Sequence, residues 1–384
     1  MSWWLAAVEQ VTKFSRGVAM PNHEESAETT GNQLGSVHTA SFPALLQQLG
    51  VSLAVTTYQA GKLVLLRSVS GHLNTHFCGF PKPMGLALRG PRLAVGTRNS
   101  VVEFHANDAA AGFAGTGGGC DRCYVQRLSH VTGNIQIHEM EWVGDELWFV
   151  NTLFSCLSVR SSVYSFEPRW QPPFISALAP EDRCHLNGLG LRDGEIRYVT
   201  ALGRADSAGG WRPAKKDGGV LLEVTSGEAV ATGLSMPHSP RWYRDRLWLL
   251  ESGSGTLGVV DAGSGQYEAL TGLPGFTRGL DFCGRVAFVG LSQVRESALF
   301  SGIPITEPGR ERICGVAAVD LETGGLLGWV KFDEGVQEIF AVRVLAGCQQ
   351  PEVLQEEEAI VDGVFILPDG DLRRVPAEYG VRQG

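Results

Sequence analysis

Three of the nine histidines in this chain recur at a spacing that could bring their imidazoles to a common point: His138, His185 and His238. Neutral imidazole is the most frequent metal ligand. Three of them with an open position are the usual catalytic arrangement for zinc and a common one for iron or copper. Two charged residues fall in step with them, Arg278 and Glu338, and so do Asn187 and Met84. Arg278 offers a planar fork for a carboxylate, and Glu338 offers either an acid/base group or one more metal ligand. The two could instead simply pair with each other. Asn187 and Met84 would line the substrate side. Such a set acts together only if one architecture aligns it.

Internal repetition supplies that architecture. Six segments share one pattern: a polar or turn entry, alternating apolar positions, a charged or glycine turn, then a denser apolar strand. They begin near Met84, His138, Asn187, His238, Arg278 and Glu338, at intervals of 40 to 60 residues. That period suits a four-stranded propeller blade of about 40–50 residues with loop insertions. The sixth segment lacks its later strands, whereas two orphan strands, 51–56 and 62–66, stand near the N-terminus. Pairing the orphan strands with the C-terminal one would close a ring and remove exposed sheet edges. The fold expected is therefore all-β, a single six-bladed β-propeller over residues 43–349. A flexible extension is expected at 1–42 and another at 350–384. Innermost strands run beside the central channel and alternate faces with a period of two, so equivalent residues form a ring there. His185, two residues before Asn187, would share its face one step further along. Trp142, Trp148, Trp242, Trp248 and Phe288 recur at matching positions and read as packing between blades.

The remaining features narrow the function. The net charge of −9 and the lack of a basic stripe argue against nucleic acid and an anionic membrane surface. No apolar run approaches the roughly 18 residues of a membrane span, and the N-terminus fits a secretory signal poorly. Cys78, Cys156, Cys283 and Cys314 sit in apolar runs, as buried reduced thiols do, so a cytoplasmic location is expected. Cys120 and Cys123 form the one close pair, with no second pair to complete a zinc ribbon. The glycine-rich stretch before them reads as linker. Arg241 and Glu139, out of phase with the histidines, read as structural, and His130 and His76 as peripheral.

The stretches Ser129-His130-Val131-Thr132-Gly133 to Ile137-His138-Glu139-Met140, Arg183-Cys184-His185-Leu186-Asn187-Gly188-Leu189 and Met236-Pro237-His238-Ser239-Pro240-Arg241-Trp242 resemble a bacterial family of conserved propeller-like proteins of unknown function. Pro274-Gly275-Phe276-Thr277-Arg278-Gly279-Leu280 and Val336-Gln337-Glu338-Ile339-Phe340 fit the same family, over roughly residues 45–350. The resemblance implies no known activity. More distantly, His138, His185 and His238 are similar in kind to the three channel histidines that hold zinc in the peptide-amidating lyase propeller. Gluconolactonase-like and paraoxonase-like propellers use Glu, Asn and Asp around calcium; Glu338 and Asn187 have no matching Asp here. Two expectations follow. The first is a metal-dependent oxidoreductase, lyase or hydrolase acting on a small molecule or peptide, with zinc, iron or copper on the three histidines, Glu338 as acid/base and Arg278 as anchor. The second is a non-catalytic propeller that binds a small ligand or a protein partner.

Overall fold

The structure, a computed structural model, describes residues 11–14, 34–107, 119–294, 301–333 and 335–376. Six sheets, antiparallel except for one added strand, form the blades. Blades 3, 4 and 5 are plain four-stranded units whose innermost strands are Ile137–Val143, Leu186–Arg192 and Pro237–Tyr243. Blade 1 is closed as expected: the C-terminal strand Ala341–Ala346 lies innermost and pairs antiparallel with Val51–Thr57, Ala341 opposite Thr56.

The sheets reach past both ends expected for the propeller. Ser36–Thr39 adds a strand outside blade 6, against Leu326–Phe332. Pro351–Leu354 adds a parallel strand outside blade 2, against Arg122–Val131. Both segments are short and polar-flanked, which is why composition alone assigns them to extensions. Most of the N-terminal extension and of the glycine-rich stretch lies outside the described residues.

Apolar packing between neighbouring blades holds the ring. Leu63, Leu65, Leu93, Val95 and Phe104 fill one such seam. The helix Ser41–Leu49 sets Phe42 and Leu46 against Val64, Phe288 and Val330, and stops at Gly50, whose φ of 65° is left-handed. Each fully buried Leu, Val or Phe contributes roughly 1.5–3 kcal/mol. Trp142, Trp248 and Phe288 are buried in these seams, in keeping with a packing role. Near the channel the blades approach backbone to backbone; a Cβ on Gly85 would collide with the carbonyl of His138 in the next blade.

Candidate functional site at the channel mouth

Charged residues deep in the channel fix the register of the ring. Arg343 of blade 1 bonds Glu141 of blade 3 and the carbonyls of Leu86 and Met140, the latter two at 3.0 Å. Arg241 of blade 5 bonds Glu139 at 2.9 and 3.2 Å and lies 3.9 Å from Glu141. Ser239 donates to Glu139 at 2.5 Å, and the N–H of Leu189 does so at 2.8 Å. Burial works against the charge of Arg343, yet Glu141 and Asp281 hold its guanidinium above the usual range. Arg241, Glu141 and Arg343 therefore sit at one level and tie alternate blades, 1, 3 and 5, together.

Three residues upstream of these on each strand come His238, His138 and Phe340; three before Asp281, Gly190 and Ala87 come Arg278, Asn187 and Met84. The structure thus aligns five of the six residues expected at the ring position, and corrects the sixth. Phe340, not Glu338, holds the position in blade 1, because the strand starts at Ala341 and the residues just before it are irregular. The apolar run Ile339 to Val342 fits either register. Glu338 lies two residues before Phe340, in the irregular segment that enters the strand, near enough to Arg278 for the two charges to act on each other. His185 sits at an outer step, two residues before the ring position, together with Lys82, Gln136, Met236 and Phe276.

The outer step has its own backbone signature. Lys82, Gln136, His185 and Met236 all have left-handed φ, between 47° and 55°, a conformation costing about 1–3 kcal/mol in a non-glycine residue. In blades 3 and 5 this turn brings a carbonyl to the histidine two residues on. His138 Nδ1 lies 3.0 Å from the oxygen of Gln136 and 2.7 Å from the hydroxyl of Thr152, which itself donates to the carbonyl of Leu186. His238 repeats the arrangement with Met236 at 3.0 Å and Ser252 at 2.9 Å, the serine donating to the carbonyl of Thr277. A carbonyl only accepts, and each hydroxyl has already spent its proton, so Nδ1 carries the hydrogen in both rings. His185 Nδ1 meets Asp182 at 2.9 Å, and Asp182 also receives the Trp211 indole N–H at 3.0 Å. The His138 and His238 rings therefore keep Nε2 as an unshared lone pair.

His138 and His185 stand edge to face, ring centroids 4.9 Å apart. Phe340 packs against His138, also at 4.9 Å, and carries the Arg278 guanidinium 3.3 Å above its ring centre. His238 packs against Phe276. Burial, with Arg278 next in effect, holds His138 and His238 well below the usual histidine range, so both are neutral at pH 7. Burial likewise lowers Arg278 to about 10, with Glu338 and Glu139 opposing, and raises Glu338 with Arg278 opposing. Arg278 and Glu338 feel each other but form no ion pair within 4.0 Å, and the Arg278 side chain has no hydrogen-bond partner among the described residues. Asn187 is fully buried, with its Oδ1 taken by Thr200 at 2.5 Å and its Nδ2 unpartnered. Met84 is buried among Ile137, Met140 and Phe340. Among the described residues, no group of three or more His, Cys, Asp or Glu is placed to hold a metal ion. His130 bonds the carbonyl of Ser165 on the outer surface, and His76 pairs with Glu352, both away from the mouth.

Several residues of this site escape a reading of the sequence. Phe340 hides in an apolar run, and Asp182 and Trp211 lie in long loops. Thr152 and Ser252 did carry a signal: each follows a matched strand, in Leu147-Trp148-Phe149-Val150-Asn151-Thr152 and Leu247-Trp248-Leu249-Leu250-Glu251-Ser252.

Among solved structures, the chain is similar to a protein in a nidogen/laminin complex, at 10% identity and TM-score 0.51, covering 78% of this chain and 99% of that one. It is also similar to a protein of unknown function from Bacteroides caccae, at 9% identity and TM-score 0.46, covering 77% and 98%. A third is virginiamycin B lyase from Staphylococcus aureus, at 12% identity and TM-score 0.39, covering 80% and 82%. At these identities the likeness concerns the fold alone. No curated protein matches the sequence. A family model does match, over residues 40–354, and by that match the chain belongs to the family described as a domain of unknown function, DUF4915.

Proposed function

We propose that the channel mouth binds a small molecule or peptide bearing an anionic group, and that the protein acts on it as an enzyme. The observation that carries this reading is Arg278, an enclosed guanidinium with no protein acceptor among the described residues, set beside imidazoles that offer only lone pairs. An anion would complete the guanidinium fork, while N–H or O–H groups of the same ligand would donate to Nε2 of His138 and His238. Glu338, with its carboxyl raised and no ion pair among the described residues, would be the acid/base group, which works best when its pKa lies near the operating pH. Proton abstraction with hydrolysis or elimination is the chemistry such a set supports. The eight free cysteines accord with a reducing, cytoplasmic setting.

The test is a thermal-shift panel of simple carboxylates, amino acids, dipeptides and phosphate esters against the wild type and Arg278→Gln. At least one compound should stabilise the wild type and fail to stabilise the variant. Equal shifts in both proteins, or none in either, would contradict the reading.

A second reading keeps a zinc, iron or copper ion on the same three histidines. It is favoured by one observation: each Nδ1–H is fixed by an acceptor, as is usual for imidazoles that ligate through the other nitrogen. Closer convergence of the rings than they now show would be needed. Elemental analysis of protein purified without a metal-scavenging tag decides it. Near-stoichiometric metal, lost in His138→Ala, His185→Ala and His238→Ala, supports the ion. Metal retained in all three variants, or none after supplementation, rejects it.

A further inference from the structure

Blade 2 carries a second group of reactive side chains, far along the sheet from the channel. Cys123 lies in the strand Arg122–Val131 and is fully buried, while Cys120, in the approach to that strand, is half-buried. Cys120 packs on the small cluster formed by Cys123, Val125, Leu354 and Val364. Cys120 Sγ also lies 3.2 Å from the carbonyl of Arg122. Between the cysteines, Asp121 accepts from the thiol of Cys348 at 3.1 Å and from the N–H groups of Gln349 and Gln350 at 2.6 and 2.9 Å. These contacts hold the turn into the strand Pro351–Leu354, whose Glu352 stands opposite Cys123. The Cys-X-X-Cys turn is therefore anchored on both sides, with its first sulfur the more exposed and its second in the core.

That asymmetry divides labour between the two sulfurs. The neighbouring Cys123 thiol draws Cys120 below the usual range, with burial opposing. The same neighbour, followed by burial, pushes Cys123 far up. An attacking thiol needs exposure and thiolate character; a resolving thiol needs proximity and protection.

We propose that Cys120 and Cys123 form a thiol–disulfide exchange site, Cys120 attacking and Cys123 resolving, whose substrates are accessible disulfides. In the first step the Cys120 thiolate attacks one sulfur of a disulfide RSSR, forming a mixed disulfide and expelling RS⁻. In the second, Cys123 attacks Cys120 Sγ as its proton passes to the departing sulfur, which leaves as the second thiol. The dithiol is thereby oxidised to one disulfide while RSSR is reduced to two thiols. A thiol reductant reverses the sequence.

Oxidised glutathione serves as the probe disulfide, with the full-length protein and mass mapping of peptides under non-reducing conditions. Titration through reduced/oxidised glutathione ratios should give one two-electron transition ending in a Cys120–Cys123 bond. In Cys123→Ser, glutathione should remain trapped on Cys120; in Cys120→Ser, Cys123 should stay unmodified. Should the buried hydroxyl keep Cys123→Ser from folding, wild-type labelling still decides. Cys120 should react with iodoacetamide at pH 7 about tenfold faster than Cys283, the other half-buried thiol. Equal labelling rates, a bond from Cys120 to Cys348 instead, or glutathione on Cys123 would overturn the proposal.

Discussion

The chemistry of the mouth is decided by which atoms already have partners. Arg278 has no acceptor among the described residues, so its contribution to binding depends on the fork and not merely on charge. Arg278→Lys keeps the cation but loses the two-bond contact, and ligand binding should weaken by about 1–3 kcal/mol by calorimetry. Because Arg278 and Glu338 form no ion pair, a thermal-unfolding double-mutant cycle on them should be additive within about 0.5 kcal/mol; strong coupling would make them a structural pair. The two buried histidines set a pH dependence. With folded pKa values well below 6.5, His138 and His238 bind fewer protons in the folded chain than in the unfolded one as pH falls below that value. Stability should therefore be full above pH 6.5 and decline below it, towards the folded pKa values. His138→Gln and His238→Gln should each flatten that decline in urea titrations at pH 5 to 7, and an unchanged slope would refute the assignment.

At the level of elements, the inner strands serve two layers at once. One residue position presents the site, and three residues on, the same strands present Glu141, Arg241, Asp281 and Arg343. Breaking a buried pair by removing one partner typically costs about 3–5 kcal/mol. Arg343→Ala should lose that much in urea unfolding, because Glu141 would stay enclosed with only the more distant Arg241, 3.9 Å away, as its cation. A loss under about 1 kcal/mol would show that the layer is hydrated. Much of this was legible in the sequence: the spacing of His138, Asn187, His238 and Arg278 follows from each strand opening after a turn. Glu338 was placed at the ring position that Phe340 holds, since alternation leaves a two-residue shift open. Arg343 and the partners of Arg241 and Glu139 could not be read, because an ion pair across a channel joins residues more than 100 positions apart.

The whole molecule makes these placements rigid by closing on itself. The missing strands of the last repeat and the orphan hairpin of the first were visible as complementary gaps, so ring closure was readable. The added strands Ser36–Thr39 and Pro351–Leu354 were not, since short edge strands carry no repeat signal. A chain ending before Phe340 would lose the inner strand of blade 1, the aromatic platform under Arg278 and Arg343 together. It should aggregate or unfold in place of showing a trimmed but cooperative transition. Both functional readings, anionic ligand and bound metal, rest on one claim: that the closed ring presents imidazoles protonated at Nδ1 and bare at Nε2. Nitrogen NMR of ¹⁵N-histidine-labelled protein at pH 7 tests it directly, with His138→Gln and His238→Gln for assignment. The account predicts a protonated Nδ1 signal and an unprotonated Nε2 signal for both residues. Signals showing hydrogen on Nε2, or an imidazolium at either position, would contradict it.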